Sequence, residues 1–155
     1  MAQTNFLSPI NFVFKLSITP NTEYNVQHVT IPGMTLGVAQ TPSPFVKIIN
    51  PGNIEYDPVE VTFKVGENMA DYLEIFNWMV SLGHPDSLEQ YRNITSDASL
   101  VILDSSKNPS INIRFTDCFP VGLSPIEMNT TLEDVQYVTA RAAFKFQRFY
   151  YEPRS

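Results

Sequence analysis

The chain has 155 residues, 43% of them hydrophobic and 12% aromatic, with 12 prolines, 6 glycines, a net charge of −6 and a pI near 4.8. This is enough apolar material for one domain with a core, and it excludes a disordered chain. Ten Lys and Arg against sixteen Asp and Glu argue against a tight electrostatic grip on nucleic acid without excluding contact with nucleic acid that slides past, and a single cysteine, Cys118, excludes an internal disulfide.

The opening Met-Ala-Gln-Thr-Asn lacks the basic and apolar regions of a secretion signal. No stretch approaches the roughly 18 apolar residues of a membrane span. Phe6 and Leu7 are the apolar anchors of a short polar start. Phe12, Phe14, Leu16 and Ile18 then alternate with Asn11, Val13, Lys15 and Ser17, the period of a half-buried strand. Thr19-Pro20-Asn21-Thr22 is a turn, and Tyr24–Ile31 is a second strand ending at Pro32-Gly33.

Residues 32–58 are an unusual connector. Pro32, Pro42, Pro44, Pro51 and Pro58 bar it from a sheet centre, because proline donates no ladder hydrogen bond. Yet Phe45, Val46, Ile48 and Ile49 make its middle apolar, which a linker is not. Two readings fit: an ordered loop covering the domain's own core, or an arm that packs on another copy. The arm holds two short strands, Met34–Ala39 and Phe45–Ile49, folded back as an open hairpin.

Val59, Val61, Phe63 and Val65 alternate with Glu60, Thr62 and Lys64, the clearest amphipathic strand in the chain. After Gly66, Asn68 reads as an N-cap and Asp71 as a first-turn acid for a helix over 69–82. Met69, Tyr72, Leu73, Phe76, Met79 and Val80 form its apolar stripe, which leaves Trp78 off the stripe, near Asp71. Residues 84–97 are polar, with Tyr91 and Ile94 as anchors. Strands over 99–103 and 111–115 flank the turn Asp104–Pro109, a hairpin. Residues 117–131 read as a packed irregular connector. Residues 135–151 read as one long strand, bent or shared between two sheets, with Val138, Ala140, Ala142, Phe144 and Phe146 on one face and Tyr137, Thr139, Arg141, Ala143, Lys145 and Gln147 on the other. The sum is a single mainly β domain over 1–155. Two antiparallel sheets form a sandwich or barrel with one flanking α-helix.

No catalytic constellation emerges. His28 and His84 lack metal-ligand spacing, Cys118 has no basic neighbour, and no phosphate-binding or nucleophile-elbow motif is present. Glu55, Asp57 and Glu60 cluster at a strand entry, where solvation explains them better than a cation does. The expectation is a protein without enzymatic activity, cofactor or metal.

The order of elements, with Val29-Thr30-Ile31-Pro32-Gly33-Met34, the strand 59–65, the helix Tyr72-Leu73-Glu74-Ile75-Phe76-Asn77-Trp78-Met79 and the closing Phe149-Tyr150-Tyr151-Glu152, resembles the tail tube protein family of contractile-tailed bacteriophages. The likeness runs from about residue 10 onward. It implies a virion protein, assembled in the host cytoplasm, whose hexameric rings stack into the inner tail tube. Sheath and baseplate proteins would be its partners, and DNA would pass through the lumen without specific binding. It also leaves open a single-ring baseplate hub, tube initiator or tail terminator. A monomeric β-sandwich ligand-binding module is the remote alternative; it needs an aromatic-lined site, for which Tyr24, Tyr56 and Tyr91 are available but scattered.

Under the resemblance the arm reading is preferred. Phe45, Val46, Ile48, Ile49 and Trp78 become candidate subunit contacts. The polar strand faces Glu60, Thr62, Lys64 and Asn112, Arg114 become candidate lumen walls. The acidic balance suits a lumen that does not retain DNA.

Overall fold

Period-2 burial along the strands builds two antiparallel sheets that share one strand. The computed structural model describes residues 6–18, 25–84, 95–134 and 136–153. Within them lie β1 (Phe12–Leu16), β2 (Val26–Thr30), β3 (Met34–Thr41), β4 (Ile48–Tyr56), β5 (Val59–Lys64), helix α1 (Ala70–Gly83), β6 (Ser96–Leu103), β7 (Pro109–Leu123), β8 (Thr139–Lys145) and β9 (Arg148–Pro153). The first sheet runs β1-β6-β7-β9. The second runs β2-β5-β8-β7. The inner faces of both supply one core, in which Phe63, Phe115 and Phe144 are fully buried. Each such ring stabilises the fold by roughly 1.5–3 kcal/mol relative to exposure.

The shared strand is β7. Its first half pairs with β6 and β9, and Phe119–Leu123 pair with β8. Between the halves Asp117 takes a left-handed φ of 51°, and its N–H donates to Asp97 Oδ1 at 3.2 Å. That kink re-aims the strand from one sheet to the other. Residues 117–123, expected as an irregular connector, are therefore strand. Pro120 is tolerated there because this half of β7 lies at a sheet edge beside a register shift. The long strand expected over 135–151 is instead two, β8 and β9. They part at Phe146-Gln147, where the Gln147 N–H donates to the Thr116 carbonyl at 2.9 Å.

The hairpin between β6 and β7 forms as its turn chemistry requires. Asp104 Oδ1 accepts the N–H groups of Ser106 and Asn108 at 2.9 and 2.8 Å. β6 starts at Ser96, three residues before the expected Ser99. The turn over 19–22 and the anchors Tyr91 and Ile94 lie outside the described residues.

The helix lies where expected, but rotated. Its buried side chains are Asp71, Ile75 and Trp78. Asp71 is 1% exposed, and its carboxylate accepts the Asn25 side-chain amide at 2.9 Å and the Gly66 N–H at 3.2 Å. It anchors the helix start to the end of β5 and the entry to β2. Met69, in the left-handed region at φ 56°, occupies the N-cap position, while Asn68 Oδ1 accepts the Ala70 N–H at 3.2 Å.

Candidate assembly interface

The arm is a hairpin of its own. β3 and β4 pair only with each other, in a separate two-stranded sheet. β2 and β5 pair antiparallel, with Thr30 opposite Glu60, and the hairpin continues them outward from Met34 opposite Tyr56. β4 runs on through Pro51-Gly52, longer than the expected Phe45–Ile49, while Phe45 and Val46 sit in the turn region before it. Pro51 fits because a bulge falls there. The pairing shifts register between Leu36 and Val38. The two chains approach so closely that a Cβ on Gly52 would meet the Gly37 carbonyl oxygen at 2.9 Å.

Cross-strand pairing sorts the arm into two faces, since directly paired residues share a side. Met34, Leu36, Val38 and Gln40 face the same way as their partners Tyr56, Ile54, Pro51 and Ile49. Apart from Gln40 this is an apolar surface, and Met34, Leu36, Val38, Ile49 and Ile54 are all exposed. The opposite face carries Thr35, Ala39, Thr41, Glu55, Asn50 and Ile48. Phe45, 93% exposed, and Val46 project at the far end. The arm is therefore no cover for the domain's own core. Its root is fixed: the Asp57 N–H donates to the Gly33 carbonyl at 3.0 Å, and the Tyr56 ring lies 5.3 Å from Phe149 and 5.5 Å from Phe146.

A second exposed apolar surface lies on α1. Leu73 is 45% and Phe76 48% exposed, and Met69 and Val80 are exposed beside them. At about 100° per residue, this stripe lies roughly 160° from the buried Asp71, Ile75 and Trp78. The expected stripe thus points largely outward. Trp78, proposed as a contact, is 5% exposed and packs 6.1 Å from Phe144 in the core. An indole has more area to bury than Phe76, and the Asp71 anchor fixes the helix rotation that places it inside.

The two candidate lumen sets fall on different sheets. Glu60, Thr62 and Lys64 lie on the outer face of the second sheet, next to Ala143, Arg141 and Thr139 of β8 and to Thr30 and His28 of β2. Asn112 and Arg114 lie on the outer face of the first, opposite Glu152 and Tyr150 of β9. There the Asn112 amide donates to Glu152 at 3.3 Å and Arg114 pairs with it at 3.5 Å. The two sets back onto one core from opposite sides, so a single channel takes only one of them. The first sheet's face also carries Val13 and Tyr150, both exposed, and the second's carries the half-buried Phe119 opposite Lys145 and the exposed Tyr137 ring beside Lys64.

Other chemistry is sparse. Burial, with the nearby Asp97 charge second, pushes the Cys118 thiol up to about 12, so it stays protonated and inert. Among the described residues no group of acids, histidines and cysteine is placed to hold a metal ion, and no helix is long and apolar enough to cross a membrane. Tyr24 and Tyr91, offered for a ligand site, lie outside the described residues. Tyr56 is engaged at the arm root. Leu7, Phe12, Val29 and Ile31 help line a cleft of about 240 Å³ where the β1 and β2 edges face each other.

No protein-family model matches the chain. It is 27% identical over 158 residues to the tail tube terminator protein of Enterobacteria phage T4, a match spanning 96% of this chain and 90% of that protein. Among solved structures it superposes on the tube-terminating cap of the anti-feeding prophage with a TM-score of 0.74 at 9% identity, covering 99% of this chain and 95% of that one. The sheath/tube terminator complex of the extracellular contractile injection system PVC, in its extended state, gives a TM-score of 0.71 at 11% identity, covering 97% and 99%. The expected mainly β, tail tube-like fold is the fold observed.

Proposed function

We propose that this tail tube-like protein is a tube terminator, a single hexameric ring that closes the end of a contractile tail's inner tube. The observation that carries this reading is the match to a tail tube terminator along nearly the whole of both chains. It favours the terminator alternative over the repeating tube subunit, the first expectation from sequence. The role is structural, within the virion tail, and the chain assembles in the host cytoplasm.

The geometry supplies the means. The second sheet has unpaired edges at β2 and at Phe119–Leu123 of β7 among the described residues. Joining these edges between neighbours closes a ring and removes an aggregation-prone feature. Barrel strands run obliquely along the axis, tilted by roughly 35–45°. A hairpin that extends β2 and β5 therefore leaves the ring at its rim. Its apolar face meets the adjoining tube ring, and Phe45, Val46, Ile48 and Ile49 contribute at and near its end. The outward helix stripe of Met69, Leu73, Phe76 and Val80 offers a second apolar surface, for a sheath subunit. The tail's tube, sheath and baseplate proteins are thus the partners, and DNA passes through the lumen.

Negative-stain imaging of the purified chain with and without cognate tail tubes tests the proposal. Hollow single rings that seat on tube ends are expected. Growth of the chain alone into long tubes would restore the repeating-subunit reading, and a strict monomer that never caps a tube would end both.

A further inference from the structure

Charge on this chain is segregated in a way its net value conceals. β8 places Thr139, Arg141, Ala143 and Lys145 on the outer face of the second sheet, in register with Lys64, Thr62 and Glu60 of β5. Lys64, Arg141 and Lys145 are exposed, and Glu60 is the only acid on that face among the described residues. None of the three cations has a carboxylate partner among the described residues, whereas Arg114 on the other sheet is neutralised by Glu152. The Lys64 ammonium sits 4.9 Å from the centroid of the Tyr137 ring, which steadies it without cancelling its charge. Lys64 and Arg141 are diagonal neighbours across the strand pair, roughly 7–8 Å apart at the backbone. Arg141 and Lys145 are separated by roughly 13 Å along one strand. The remaining positions of β2, β5 and β8 on this face, His28, Thr30, Thr62 and Thr139, are polar, and the half-buried Phe119 of β7 stands opposite Lys145. Among the described residues the other acids lie elsewhere, in turns and loops such as those holding Asp104, Glu127, Glu133 and Asp134, on α1, and on other strands, as at Glu55, Asp97 and Glu152.

We infer that this face binds the phosphate backbone of double-stranded DNA, so that the ring holds DNA rather than merely letting it pass. The inference rests on the second sheet lining the ring's channel. It reverses the expectation, drawn from net charge, of a lumen that repels phosphate. Ring closure multiplies the three cations by the number of subunits and aims them all inward, where a channel focuses their field. Recognition is electrostatic and independent of sequence, because the face offers ammonium and guanidinium groups to phosphate and nothing built to read base edges.

The test uses assembled rings, a fluorescein-labelled linear duplex of about 30 base pairs and a closed circular duplex, with anisotropy read at rising salt. Ring formation is scored separately by negative stain. Wild-type rings should bind the linear duplex at low salt and ignore the closed circle, which cannot thread. The triple variant Lys64→Gln, Arg141→Gln, Lys145→Gln should still form rings, bind at least about tenfold more weakly and show a shallower salt slope. The charge-matched control Lys15→Gln, Lys107→Gln, Arg148→Gln should stay within about twofold of wild type, because its positions lie off that face. Intact rings that bind no linear duplex, or an equal loss in both variants, overturn the inference and leave the ring reading standing. Equal binding of linear and circular DNA overturns the lumenal placement. Failure of the wild-type chain to form rings counts against the assembly reading itself.

Discussion

Replacing the cross-strand pair Leu36 and Ile54 with Lys and Glu (Leu36→Lys, Ile54→Glu) isolates the arm from the rest of the fold. The two positions are directly paired and share the apolar face. They are 54% and 49% exposed, so about half of each side chain remains to be buried by a partner. Full burial of such a side chain contributes roughly 1.5–3 kcal/mol, so the pair forgoes roughly 1.5–3 kcal/mol per arm, before the added cost of desolvating two charges. At about 1.4 kcal/mol per tenfold, contact with the next ring weakens by at least about tenfold. The opposite charges face each other across the hairpin and help preserve it, and the core is untouched, so monomer stability should shift by less than about 1 kcal/mol. Sedimentation velocity with cognate tubes reads the first quantity and urea unfolding of the monomer reads the second. Unchanged capping of tubes at wild-type concentrations, with the urea midpoint also unchanged, would refute the arm's role.

The helix rotation makes opposed forecasts for neighbouring positions. Trp78→Ala should lower unfolding stability by about 3–5 kcal/mol, whereas Phe76→Ala should change it by less than about 1 kcal/mol, both read by urea denaturation. Gly52→Ala drives a Cβ against the Gly37 carbonyl, so tube capping should fall while the core's unfolding midpoint holds. Cys118 should resist thiol reagents in the native protein at about pH 8.5 and react once the chain unfolds. Its folded value of about 12 exceeds the ordinary 9.0, so both states keep the proton below pH 9.0 and its favourable contribution is complete there. Above that the unfolded chain ionises first, and stability should decline as pH rises towards 12, measurably less so in Cys118→Ala.

Much of the architecture was legible because one sheet face is dry and the other wet. The alternations around Phe14 and Phe63 therefore located β1 and β5 to within two residues at either end, whereas the alternation around Phe144 found the faces of β8 but not its end, running it on into β9. The misreadings share a cause, namely tertiary contacts that local pattern does not encode. Helix α1 is apolar on two opposite sides, so periodicity alone could not say which is inward. The decision lies with Asp71, a charged residue whose partners, Asn25 and the Gly66 amide, come from elsewhere in the chain. Residues 117–123 read as irregular because Pro120 and Gly122 look like breakers, yet an edge half-strand tolerates both. On the arm, the apolar tip around Phe45 was visible, but the larger face of Met34, Leu36, Val38 and Ile54 emerged only from pairing register. The spacing of Arg141 and Lys145 was plain in the alternation. Their company with Lys64 was not, because it depends on β8 lying beside β5.

The kinked β7 has a mechanical consequence. A sandwich held only by side-chain packing can slide, one sheet over the other, when pulled in opposite directions. Here a single backbone passes from one sheet to the other, so sliding requires unzipping hydrogen-bonded ladders on both sides of Asp117 rather than slipping a greased contact. The β2–β5 hairpin that bears the arm and the β8–β7 pair that carries load inward belong to the same sheet. Tension applied at the arm tip thus travels along covalent chain and ladder into the far sheet. In the ring proposed above, subunits tied together in this way would form a stiff collar.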